Sequence, residues 1–106
     1  MVKRFEVYLV NLDADPSANA RNTRPAVVVS PDELNRNLAT VMIAPLSTSA
    51  VKYPTRVLVD FLNNERMIIL DQLRTVDKIR LVKKIGEIDD ARRKPTLECL
   101  AEMFAE

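Results

Sequence analysis

The sequence predicts a small, mostly antiparallel β barrel with a single α-helix packed against it. Three observations carry that expectation. Short apolar segments in which Val, Ile and Tyr recur are separated by turn-forming residues. The joins between them are mostly short, and neither an internal repeat nor a linker interrupts the 106 residues. The hydrophobic period lengthens to that of a helix only near the C-terminus. The length favours one domain, residues 1–106, around one modest core.

The elements follow in order. "FEVYLVNL" (5–12) reads as a strand, and Glu6 breaks the apolar run that a signal peptide would need. "DADPSANARNT" (13–23) is a polar loop. "PAVVVS" (25–30) is a strand buried on both faces, because its apolar run is continuous. Ser30 is the expected N-cap of a short helix, with Pro31 at its first position. "TVMIAPL" (40–46) is a strand ended by Pro45, and 47–55 is a loop. "RVLVDF" (56–61) alternates, Asn63-Asn64 suits a hairpin turn, and "RMIIL" (66–70) returns. A single helical turn is expected within 75–81 and a last strand over 82–88. Leu97, Leu100, Ala101 and Phe104 then fall on one helical face behind Asp89 as N-cap. Pro95 costs about 3 kcal/mol inside a helix, so the helix either begins near Lys94 or is kinked there.

Composition excludes several chemistries. Apolar residues make up 47% and charged residues 29%, as in an ordinary globular chain, and no apolar run reaches the length of a membrane helix. One cysteine, Cys99, leaves no internal disulfide framework and points to a reducing cytoplasm; the residue itself reads as a small helix side chain. Histidine is absent, which removes Ser-His-Asp triads, histidine zinc sites and two-histidine ribonuclease chemistry. No metal-ligand spacing survives, and with Gly86 as the only glycine there is no phosphate-cradling loop. A net charge of +1 gives no global basic field, so a nucleic-acid site has to be a local cluster.

Three polar constellations interrupt the apolar pattern, all at strand ends: Thr23-Arg24-Pro25, Ser47-Thr48-Ser49 and Asp71-Gln72-Leu73-Arg74-Thr75. On one barrel rim, two arginines, hydroxyls and an amide would grip phosphate and sugar. Each has a structural alternative: Arg24 paired with Asp71, Ser47 and Thr48 satisfying turn backbone, Asp71 capping the next turn, Arg74 paired with Asp77.

The order "TRPAVVVSPDELNRN", "VMIAPLSTS…YPTRVLV" and "MIILDQLRTVDKIRLVKKIG" resembles the MazF/PemK family of toxin ribonucleases from about Lys3 to the C-terminal helix. The resemblance implies an SH3-like antiparallel β barrel with a C-terminal α-helix, assembled as a homodimer. It implies metal-independent, sequence-selective cleavage of single-stranded RNA to 2′,3′-cyclic phosphate and 5′-hydroxyl ends, with no cofactor. It also implies a cognate antitoxin that lays an extended acidic C-terminal segment along the RNA groove. Carried onto this sequence, Arg24 matches the catalytic arginine before proline. Thr48, or its neighbour Ser47, matches the strand-end hydroxyl. Asp71, Gln72 and Arg74 match the segment that shapes the groove, with Asp71 the candidate base or the orienting partner of Arg24. Asn19, Arg21, Thr23 and Lys52 are further candidates for contacting RNA. The chain departs from the family pattern at Arg4-Phe5, where Arg-Gly is usual, and at Ser17-Ala18-Asn19, where a Gly-(Ser/His)-Glu run is usual. Ile69 stands where some relatives carry arginine. Two other readings stand beside this one: a relative that binds RNA or antitoxin without cleaving, and a gyrase poison like CcdB. Against the latter, this chain ends Phe104-Ala105-Glu106, without tryptophan.

Overall fold

The computed structural model describes residues 1–13 and 22–106. Seven strands form one curled antiparallel sheet: β1 (Glu6–Asn11), β2 (Thr23–Val28), β3 (Thr40–Ser47), β4 (Arg56–Phe61), β5 (Asn64–Ile69), β6 (Arg74–Asp77) and β7 (Leu81–Glu87). Their order is β4-β5-β3-β2-β1-β7, and β6 pairs with β3. A short helix α1 (Asp32–Asn37) follows β2, and α2 (Asp90–Met103) closes the described chain. The mostly β, antiparallel architecture with a C-terminal helix is the one the sequence predicts. Among the described residues, no helix is long and apolar enough to cross a membrane.

The continuous apolar run of β2 has a direct cause. Val27 joins the main core with Val7, Ala44, Val57, Ile68 and Leu70, inside the curl. Its neighbours Ala26 and Val28 point the other way, into a second cluster with Val10, Val41, Ile43 and Val76. Both faces are covered, so no alternation is needed. The two ends of the sheet meet through side chains. A Cβ placed on Gly86 of β7 would lie 2.7 Å from the Phe61 ring of β4, so only glycine admits that ring.

Several local expectations are corrected. Pro31, not Ser30, occupies the N-cap of α1 and makes no side-chain cap. The Ser30 hydroxyl instead donates to Asn35 Oδ1 at 2.5 Å and accepts from the Met42 N–H at 3.0 Å, because its position is buried and those groups need partners. The β4–β5 turn is Leu62-Asn63, with positive φ at both (51° and 63°), and Asn64 already pairs with Phe61. Residues 74–77 are a strand, and the expected helical turn is a 3₁₀ turn at Lys78–Arg80.

Helix α2 begins at Asp90 with Asp89 at its N-cap, as expected, and runs through Pro95 instead of starting near Lys94. The expected apolar face is also displaced. Buried Thr96 and half-buried Cys99, Leu100 and Met103 face the sheet, while Leu97 and Phe104 are exposed. The Thr96 hydroxyl reaches the Arg92 carbonyl at 2.7 Å, which lets a polar residue sit fully buried. Cys99 is the packing residue expected: its Sγ lies 3.4 Å from the Pro54 carbonyl, and burial pushes its thiol pKa up.

Candidate functional site

The site begins with a strand that changes partners. Residues Ile43 to Pro45 of β3 pair with β2, where the ladder ends at Ala26 opposite Pro45. Beyond Pro45, Leu46 and Ser47 pair with Ile68 and Met67 of β5. Pro25 and Pro45 each lack the N–H a ladder would use, so pairing between β2 and β3 stops there. The ends of β2 and β3 diverge and leave a cleft of 400 Å³.

Arg24 and Pro25 form one wall of this cleft, and Ser47 and Thr48 the other. Gln72, Ile69 and Arg66 complete it. Two more clefts continue it in opposite directions. One, of 410 Å³, shares Arg24, Pro25, Pro45 and Gln72, adds Arg74, and has an apolar floor of Val10, Ala26 and Ile43. The other, of 280 Å³, shares Ser47, Thr48 and Arg66 and adds Lys52, Leu58, Glu65 and Met67. The three form one groove with Arg24 and Thr48 near its middle. Lys52, Arg66, Arg24 and Arg74 are spread along it.

The structure therefore brings together Arg24, Ser47, Thr48, Gln72, Arg74 and Lys52 of the candidates. Arg24 is exposed, and among the described residues its Nη1 donates only to the adjacent Thr23 carbonyl, at 2.9 Å. Thr23 opens β2 opposite Asn11, and its carbonyl holds that guanidinium. The side chains of Thr48, Gln72, Arg74 and Lys52 have no hydrogen-bond or ion-pair partner among the described residues. Ser47 Oγ instead accepts from the Ser49 N–H at 3.2 Å, the turn-satisfying role open to it in the sequence. Asn19 and Arg21 lie outside the described residues.

Asp71 is placed differently. Its carboxylate accepts from Arg56 Nε at 3.1 Å and Nη2 at 3.2 Å, and from the Thr55 hydroxyl at 3.0 Å. It pairs with Arg56, not Arg24, and lines none of the three clefts. The Arg56 hydrogen bonds, joined by the Thr55 contact, outweigh desolvation and hold its pKa below the ordinary carboxylate value. Arg56 also donates to the Val51 carbonyl at 2.7 Å and lies 5.6 Å from the Tyr53 ring centre. The pair thus clasps loop 48–55, which carries Thr48 and Lys52, to the end of β5. Arg56, Arg66 and Glu65 escaped sequence reasoning, because on alternating strands they look like ordinary solvated charges. The one available signal was the nearness of Glu65 and Arg66 to the β4–β5 turn. Among the described residues, no group of three or more His, Cys, Asp or Glu side chains is arranged to hold a metal ion.

Comparison with known proteins identifies the family. The family described as PemK-like, MazF-like toxin of type II toxin-antitoxin system matches residues 3–104. The chain is 31% identical over 100 residues to an endoribonuclease MazF of Staphylococcus saprophyticus, covering 89% of this chain and 83% of that protein. A mycobacterial endoribonuclease solved with its cognate antitoxin superposes with a TM-score of 0.79 at 25% identity, covering 96% of this chain and 93% of that one. The Mycobacterium tuberculosis toxin MazF-mt6 shares the fold, with a TM-score of 0.77 at 22% identity over 93% and 95% of the two chains. The match over nearly the whole sequence shows that the chain belongs to the PemK-like, MazF-like toxin family of type II toxin-antitoxin systems.

Proposed function

We propose that this chain is a metal-independent endoribonuclease that cleaves single-stranded RNA at selected sequences. The observation that carries the reading is the shared cleft of Arg24 and Thr48 at the middle of a groove lined by cations. An extended strand laid along the groove would place one phosphate between them. The 2′-hydroxyl of the preceding ribose gives its proton to water as its oxygen attacks that phosphorus, the bond to the 5′-oxygen breaks and that oxygen takes a proton from water, and a 2′,3′-cyclic phosphate and a 5′-hydroxyl result. Arg24 supplies a two-pronged donor for charge developing on the phosphorane oxygens. A guanidinium suits that role and not the donation of a proton to the leaving oxygen. The Thr48 hydroxyl, uncommitted within the chain, orients the phosphate. Gln72, Arg74 and Lys52 hold the flanking nucleotides. Asp71 acts through Arg56 on the loop that carries Thr48, and not on the substrate proton.

The same cationic groove suits an extended acidic segment of a cognate antitoxin, which would occupy the phosphate path and block it. A homodimer fits the small core and the exposed apolar side chains of Ile79, Val82 and Phe104. A cytoplasmic location fits an RNA substrate and the single free cysteine.

The test is incubation with a long single-stranded RNA in EDTA, followed by mapping of the ends. Discrete products with 5′-hydroxyl and 2′,3′-cyclic phosphate ends support the enzyme. Intact RNA that is nevertheless bound at high protein concentration assigns the chain to binding without cleavage.

A further inference from the structure

We infer that Glu65 reads a guanine base next to the scissile phosphate, making the cleft under loop 48–52 a nucleobase pocket. This rests on the ribonuclease reading above and deepens it to a substrate preference. The observation behind it is a charge out of place. Of the described residues lining the three joined clefts, Glu65 is the only carboxylate, among Lys52, Arg66, Arg24 and Arg74. A carboxylate repels phosphate, so its position in a phosphate-binding groove needs a different contact. The exposed Glu65 side chain has no ion-pair or hydrogen-bond partner among the described residues, so its acceptors are uncommitted.

Its surroundings suit a base. Half-buried Leu58, with Met67 beneath, gives the same cleft an apolar floor on which a flat ring can lie. Arg66, at the edge, has its Nε donated to the Phe61 carbonyl at 3.2 Å, and its guanidinium lies 5.8 Å from the Phe61 ring centre. That fixed guanidinium is a second surface on which a base can stack. The cleft volume of 280 Å³ suits one residue of substrate and not a run of them. The shared wall with Thr48 puts that residue beside the phosphate held by Arg24.

The choice of guanine follows from donors and acceptors. A carboxylate offers two parallel acceptors and no donor. Only guanine presents two adjacent N–H donors, N1–H and the N2 amino group, on its Watson–Crick edge. Adenine and cytosine set one amino group beside an acceptor nitrogen, and uracil sets one N–H between two carbonyls. A bidentate pair of this kind discriminates by about 10- to 100-fold against a base that cannot form it.

The experiment has two arms. In the first, cleavage sites of the wild type and Glu65→Gln are mapped on a randomised single-stranded RNA pool. Guanine enriched at one fixed position within about two nucleotides of the cut, and lost in the variant, is the expected result. No guanine enrichment in the wild type, or enrichment unchanged in Glu65→Gln, overturns the inference. In the second, binding of an oligonucleotide carrying a 2′-deoxy residue at the cut is compared with its inosine-substituted twin, which lacks the N2 amino group. The wild type should prefer guanosine by about tenfold and Glu65→Gln should not. Equal wild-type affinity overturns the inference. A guanosine preference in a protein that cuts no RNA would retain the pocket and remove the nuclease reading. Thermal melting shared by both proteins confirms that the exposed substitution leaves the fold intact.

Discussion

At Ser30 and Asn35 polar groups answer one another: the hydroxyl meets Asn35 Oδ1 and the Met42 N–H, and Asn35 Nδ2 meets the Ser30 carbonyl at 2.9 Å. At Thr48, Gln72 and Arg74, side chains of the same kinds have no partner among the described residues. Burial explains the difference. Asn35 is fully buried, and an unpaired amide there would carry a desolvation penalty. The groove residues are at the surface, where water satisfies them until a ligand replaces it. Saturated polar groups hold this fold, and unsaturated ones await something outside the chain.

The largest expected effect separates these two uses. Arg24→Ala should lower RNA cleavage by at least about 10²- to 10³-fold, the scale of losing a principal oxyanion donor. Its far-UV circular dichroism and melting temperature should not move, since Arg24 is exposed and, among the described residues, bonds only the neighbouring carbonyl. Retained cleavage would remove Arg24 from the chemistry. Asn35→Ala should do the reverse. It strands the Ser30 hydroxyl and carbonyl in a buried position and should cost about 2–3 kcal/mol in urea unfolding. Below its new midpoint the variant should still cleave RNA at close to the wild-type rate. An Asn35→Ala protein as stable as the wild type would show that water enters and repairs the network.

The same contrast explains what could be read from the sequence. Strands β1 to β5 were legible because their Val, Ile and Leu runs are largely buried, and burial selects composition; β7 was legible from its apolar residues although none of them is fully buried. Strand β6 was not, because only Val76 of its four residues is buried and pairing with β3 is its main support. The packed face of α2 was misread because Thr96 and Cys99 fill it while the larger Leu97 and Phe104 stay exposed. Arg24 and Thr48 stood out as hydroxyls and cations at strand ends next to prolines. Their common cleft did not, because it depends on β3 exchanging β2 for β5 at Pro45, a long-range event. The partner of Asp71 was invisible for a similar reason: Arg56 is 15 residues away and meets it only across β4 and β5.

Asp71→Asn tests whether that carboxylate belongs to the saturated or the unsaturated class. As half of a clasp it should cost about tenfold in kcat/KM, through a looser loop 48–55. As the general base it should cost about 10²- to 10⁴-fold and abolish the acidic limb of the pH profile. The clasp also predicts a partial loss of the same size in Arg56→Lys, since an ammonium cannot make both bonds of the fork.

The smallest effect lies at Glu6, a buried carboxylate on the saturated side. It accepts from the Lys3 N–H at 2.7 Å and the Tyr8 hydroxyl at 3.1 Å, and its other oxygen lies 2.7 Å from Lys84 Nζ. Burial pushes its pKa up, but the bonds to Lys84, Lys3 and Tyr8 together outweigh burial, and the net shift is downward. A lowered folded-state pKa fixes the sign. The stabilisation is fully present above the unfolded-state value and is lost as pH falls through the folded-state value. Glu6→Gln keeps the shape and an acceptor but loses the ionic contact, so it should be less stable by about 1 kcal/mol at neutral pH. Chemical unfolding across the acid range should show the gap between the two proteins closing as wild-type Glu6 takes up its proton. A gap that stays constant into acid would mean that packing and neutral hydrogen bonds, not the charge, hold Glu6 in place.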